Sequence, residues 1–255
     1  MRMRNINLIL FVVTLAFLIA LPWVRGNMFR SNQDAPWQLL PFNSGDSLST
    51  MYKEHYRVLD QYALINRIED TARTTVSIMV DGWGVPYDED MLAEDFSLFD
   101  KNKVQFALHK RLLGHTTHAE TVEMRVGFEN GLYVGSGDSA ECARKEETPA
   151  YGMKQTFCCL QCSDGEVANG LDSILANTAW KRIAWTARET YLGDRVKLYD
   201  LLRQLAEIAA RHPDVQFIIQ GTHRPILGTP ETRRKYNARW VPAVFVNCGL
   251  KPEKK

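Results

Sequence analysis

Three short apolar runs stand out along the chain: Thr74 to Val80, Val215 to Gln220 and Val241 to Asn247. Each is β-branched and continuous instead of alternating, the pattern of strands buried on both faces. Segments of helical spacing separate them. The strongest predicted helix is Tyr191 to His212, where Leu192, Val196, Tyr199, Leu202, Leu205 and Ala209 form one stripe and Pro213 stops it. A second is predicted from Ser49 onward, because Tyr52, Tyr56, Leu59, Tyr62, Ala63 and Ile65 or Ile68 recur at helical intervals. "WKRIAWTARETYLGDR" (180–195) reads as a strand running to Trp185 and then a helix start. "GLYVGSGDS", with glycines but no P-loop lysine, reads as a turn or hairpin. Strand, helix and strand in this order predict an α/β fold with an open, largely parallel sheet sandwiched by helices. Ligands of such sheets sit beyond the carboxyl ends of the strands.

The N-terminus follows a different pattern. "MRMRN" precedes an apolar run from Ile6 to Val24, within the roughly 17–25 residues that cross a bilayer. The flanking arginines favour an N-in orientation, which puts the rest of the chain outside the cytoplasm. The alternative is a cleaved signal peptide, although Pro22, Trp23 and Arg25 make a poor cleavage region. The expected organisation is an anchor or signal at 1–25, a linker at 26–48, an α/β domain at 49–250 and a tail at 251–255. The linker "GNMFRSNQDAPWQLLPFNSGDSLS" is rich in Asn, Ser, Gly and Pro. The expected localisation is single-pass in the cell membrane, with the domain facing the periplasm or exterior.

Composition adds limits. At 255 residues, 45% hydrophobic and 24% charged, the chain can build one globular core. A formal charge of +1 supplies no strong field, so nucleic acid is not an expected partner. An odd set of cysteines (Cys142, Cys158, Cys159, Cys162, Cys248) in an exported domain leaves at least one without an intramolecular partner. "KQTFCCLQC" reads as a partly buried strand with one disulfide, and zinc there would need a ligand from elsewhere.

The polar residues just past the apolar runs belong together by topology: Asp81 after the first, Thr222 and His223 after the second. A carboxylate and an imidazole held at strand ends suit a divalent ion such as zinc or manganese. An Asp-Gly turn and a loop-bonding histidine are the structural alternative. In "GHTTHAETVEMRVG" (114–127), Thr117 stands three residues before Glu120 and reads as a helix N-cap with a capping box. A hydroxyl there lies at the positive end of the helix dipole, where phosphate binds and an alkoxide is stabilised. Thr116 is one position away. His115 or His118 would flank such a nucleophile and could donate to a leaving group. Glu123 is expected to pack on or cap its own helix. Arg188 could fork onto a phosphate and Glu189 could supply an acid ligand; solvated residues near a helix start are the alternative.

These segments, in order, resemble the alkaline phosphatase superfamily, in particular its sulfatase-like branch with the lipoteichoic acid synthases and phosphoethanolamine transferases. "VSIMVDGWG" is similar to the first strand and its metal-binding acid, in the Asp-Gly form found in cofactor-independent phosphoglycerate mutases. "HTTHAETVEMRVG" is similar to the nucleophile helix. "DVQFIIQGTHRPILG" with "RWVPAVFVN" is similar to the late strand ending in Gly-Asp-His and the strand after it. The resemblance implies Asp81 and His223 as metal ligands, and Thr117 as nucleophile and ligand. Thr222 stands where that branch has a metal-binding Asp. The implied activity is that of a membrane-anchored, metal-dependent hydrolase or transferase. It would act on phosphate or sulfate esters of an envelope glycan or lipid headgroup, with Arg188, Glu189 and His118 toward the substrate. The alternative is an inactive relative that serves surface polysaccharide assembly as a binding component.

Overall fold

The computed structural model describes residues 48, 50–59, 63–99, 103–110, 123, 130–137, 153–160, 162–176, 179–190, 193–225 and 228–252, all within the unit Leu48–Lys255. The predicted membrane segment and the linker up to residue 47 lie outside these residues, as do Thr116, Thr117, His115 and His118. Among the described residues, no helix is long and apolar enough to cross a membrane.

Among the described residues, eight strands form one sheet: β1 (Arg57–Leu59), β2 (Thr75–Val80), β3 (Val104–Lys110), β4 (Gly131–Gly137), β5 (Met153–Leu160), β6 (Arg182–Ala187), β7 (Gln216–Gly221) and β8 (Trp240–Val246). Their order across the sheet is β1-β3-β8-β7-β2-β6-β4-β5. All neighbouring pairs are parallel except β3–β8 and β7–β8, so β8 alone runs against the other seven. The three apolar runs are thus β2, β7 and β8, each buried along its whole length.

The helices among the described residues are α1 (Thr50–His55), α2 (Glu89–Ser97), α3 (Asp164–Leu175), α4 (Arg195–Arg211) and α5 (Pro230–Arg234). Alternate strand residues Val76, Ile78, Val80, Ile183, Trp185, Phe217 and Ile219 form one cluster with Leu92 and Phe96 of α2, Val167 and Leu171 of α3, and Leu198, Leu202 and Leu205 of α4. The intervening residues Ala107, Tyr133, Ala184, Ile218, Ala243 and Phe245 face the other way, onto Leu64, Ile65, Ile68 and Leu250. The expected sandwich is therefore asymmetric among the described residues. The three longer helices cover one face, and a 3-10 turn at Leu64–Arg67 contributes to the other.

Three predicted elements need correction. The helix from Ser49 stops at His55, because Arg57–Leu59 turns extended and pairs with Ala107–His109 of β3. "GLYVGSG" is strand β4, held between β5 and β6, not a turn. The strongest helix begins at Arg195, where the Asp194 side chain accepts from the Val196 and Lys197 amides; it ends at Arg211, beside the predicted stop. The cysteine strand is β5, and Cys162 just beyond it is disulfide-bonded. Cys248 is a buried free thiol, pushed up to about 12 by burial.

Candidate functional site

Since β2 and β7 are parallel neighbours in register, Val80 against Gly221, their carboxyl ends deliver Asp81 and Thr222-His223 to the same spot. The ladder continues past the strands: the Asp81 amide donates to the Ala187 carbonyl at 2.9 Å, and the Thr222 amide to the Val80 carbonyl at 3.2 Å. All three side chains are buried. Thr222 donates its hydroxyl to Asp81 Oδ1 at 2.7 Å. His223 Nε2 lies 3.8 Å from the same oxygen. His223 Nδ1 is 2.7 Å from the Arg224 carbonyl, which can only accept, so Nδ1 carries a proton and Nε2 is the nitrogen turned toward Asp81.

Glycine permits this convergence. Gly82 has φ of 80°, in the left-handed region. A Cβ on Gly221 would lie 1.8 Å from the Trp83 carbonyl oxygen, so the Asp81-Gly82-Trp83 turn crosses directly over the end of β7. Trp83 locks that turn. Its buried indole N–H donates to Asp95 Oδ2 at 3.0 Å. Arg195, the first residue of α4, donates to the same oxygen at 3.0 Å and lies 2.8 Å from Oδ1.

Arg188 and Glu189 follow β6, whose Ala187 is level with Val80, so both stand at the expected end of the sheet. The Glu189 side chain does not replace an acid ligand: it is 40% exposed and faces Lys197 Nζ at 3.9 Å. Its amide, like that of Arg188, instead donates to Asp164, with 2.7 Å from the Glu189 nitrogen to Oδ2. Thr190, next along, donates its hydroxyl to the Asp81 carbonyl. Asp164 is buried, and desolvation pushes its carboxyl from 3.8 to about 6; the neighbouring charges of Glu189 and Asp81 raise it further, and the two amides oppose them.

Glu123, expected to pack on or cap its own helix, the rest of which lies outside the described residues, reaches two other elements. It is buried and accepts from the Leu64 amide at 2.8 Å and from Gln220 Nε2 at 2.9 Å, which caps the 3-10 turn and ties it to the end of β7. Burial raises its carboxyl above the usual range. His109, near the end of β3, is also buried, donates Nδ1 to the Lys110 carbonyl and is lowered to about 4 by desolvation.

Among the described residues, no group of three His, Cys, Asp or Glu is arranged to hold a metal ion. Asp81 and His223 fit a shared ion as a pair. Two donors at about 2.1 Å from a tetrahedral ion lie about 3.4 Å apart, close to the 3.8 Å observed. The third expected ligand, Thr117, lies outside the described residues. Sequence reasoning missed Asp164 and Asp95, since each resembles an ordinary acid on an amphipathic helix.

No protein-family model matches the chain, and no curated protein matches it. Among solved structures, it is similar to a protein of the alkaline phosphatase superfamily from Vibrio parahaemolyticus, with 11% identity and a TM-score of 0.41. That likeness covers 74% of this chain and 64% of the Vibrio protein, so the chain spans less than two thirds of that relative. It is also similar to a protein from Pyrococcus horikoshii, with 10% identity, a TM-score of 0.38 and coverage of 72% and 88%.

Proposed function

We propose that the protein is a metal-dependent hydrolase or transferase acting on phosphate or sulfate esters, tethered to the membrane by residues 1–25 and working on envelope glycans or lipid headgroups. The observation that carries this reading is the pairing of Asp81 Oδ1 with His223 Nε2 at 3.8 Å, at the carboxyl ends of adjacent parallel strands. Asp81 and His223 would hold a zinc or manganese ion; when bound, it supplies Lewis acidity toward an ester oxygen and favours the alkoxide of a nearby hydroxyl. Thr117 is the proposed nucleophile, by its place at a predicted helix start. Arg188, at the end of β6, is the proposed clamp for the ester anion, and His118 the proposed proton donor.

Thr222 supports a second reading, an inactive binding or assembly component. Its hydroxyl hydrogen is committed to Asp81, and it adds no negative charge. One experiment separates the two. The full chain in detergent is loaded with Mn2+ or Zn2+, its metal content is measured, and hydrolysis of p-nitrophenyl phosphate and p-nitrophenyl sulfate is followed beside Thr117→Ala. Bound metal with turnover abolished in Thr117→Ala, at a capping loss of about 1 kcal/mol, supports the enzyme. Equal turnover removes Thr117 from the mechanism, and metal-free, inert protein leaves the binding role.

A further inference from the structure

A second buried carboxyl group adjoins the Asp81–His223 pair and has no task in the reading above. Asp164 is 3% exposed. Its Oδ2 accepts from the Glu189 amide, while its Oδ1 is shut off from solvent and has no hydrogen-bond partner among the described residues. A buried acceptor without a donor is costly and uncommon in folded proteins, and one beside another carboxylate is costlier still. Capping does not explain Asp164. α3 already has a complete capping box, in which Ser163 accepts from the Glu166 amide and Glu166 reaches back to the Ser163 amide. Among the described residues, the side-chain charges that act on it most strongly are those of Glu189 and Asp81, both of its own sign. Within the Asp81 cluster, Thr222 is neutral, so Asp81 alone brings negative charge. Two carboxylates withdrawn from water in one neighbourhood call for a cation.

We infer that Asp164 Oδ1 is the outer carboxylate of a divalent-cation site centred on Asp81 and His223, where it accepts a hydrogen bond from water bound to the ion. The inference rests on the cation reading of that pair. It gives Asp164 a positioning role: it adds the charge that Thr222 lacks, and through the Arg188 and Glu189 amides it holds the loop whose Thr190 grips the Asp81 carbonyl. The rival is a purely structural Asp164 that clamps this loop and nothing else.

Asp164→Asn separates the two, because the amide keeps a carbonyl oxygen for the Arg188 and Glu189 amides and removes the charge. The full chain and its variant, both in detergent, are titrated with Mn2+ by calorimetry, with metal-free thermal unfolding as the control for the fold. The expected result is a folded variant whose Mn2+ affinity is weaker by roughly 10–100-fold, the usual effect of losing a partner of this kind. Unchanged affinity in a folded variant overturns the inference and leaves the cation site standing. A wild type that binds no Mn2+ overturns both. Should the variant fail to fold, the wild type labelled with 13C-aspartate answers instead: Zn2+ should shift the Asp164 carboxyl resonance together with that of Asp81, and an Asp164 signal that stays in place overturns the inference.

Discussion

Asp95 and Asp164 are both buried carboxyl groups on helices beside the Asp81 turn, and they are treated in opposite ways. Asp95 meets a guanidinium on both oxygens and an indole N–H on one. Asp164 meets the Glu189 amide on Oδ2, has no hydrogen-bond partner for Oδ1 among the described residues, and feels the like charges of Glu189 and Asp81. The first arrangement is balanced by a cation, with hydrogen bonds at Oδ2 and an ion pair at Oδ1, so it serves the fold: it fixes Trp83, and through it the turn that presents Asp81. The second lacks a partner at Oδ1 among the described residues, which is how a fold reserves space for something it does not itself contain. Burial does not separate these two acids, and neither does a hydrogen bond at the second oxygen; the guanidinium beside Asp95 does.

The sharpest way to break this comparison is to remove the counter-charge from the complete cluster. Arg195→Met strands Asp95 in a dry environment and should destabilise the protein by about 3–5 kcal/mol in urea unfolding; a loss under about 1 kcal/mol would show that Asp95 is not held as described. Next comes pH. Asp164 titrates at about 6 when folded and near 3.8 when unfolded, so folding favours its protonated form. Its stabilising contribution is complete below about pH 4 and is lost as pH rises through 6, a swing of roughly 3 kcal/mol. Metal-stripped Asp164→Asn should lack that decline in denaturant midpoint, and an identical pH profile would remove Asp164 as its source. The smallest expected effect is steric. Gly221→Ala forces the Trp83 carbonyl aside and should cost about 1–3 kcal/mol while loosening Mn2+ binding; a fully stable, fully binding variant would mean the two turns do not need their close crossing.

Much of the scaffold was legible because burial on both faces writes itself as continuous apolar sequence, as in β2, β7 and β8. Their direction was less so: β8 reads like its neighbours yet runs against them, a property of its connection and not of its composition. β4 was misread because Gly131, Gly135 and Gly137 signal a turn. Space explains one of them, since a Cβ on Gly135 would lie 2.7 Å from the Tyr133 ring. The helix expected after Ser49 yielded to pairing with β3, a tertiary contact that outweighs local spacing. At the site, topology alone brings Asp81 and His223 together in the sequence, and the register of β2 and β7 does so in the fold. Asp164 was not legible, because a first-turn acid behind a capping serine looks solvated until the loop after β6 folds over it. Glu189 was misplaced for the converse reason: its backbone, not its side chain, faces inward.

The ladder hydrogen bonds that continue one residue beyond β2 and β7 set a timescale for this site. The Asp81 and Thr222 amides are locked into the central strands, not borne on a detachable loop. Such backbone opens only when the sheet itself opens, so the spacing between Asp81 and His223 persists for about the lifetime of the folded state. Any ligand that enters meets a gap already set, and the motion needed for exchange falls to the segments around it.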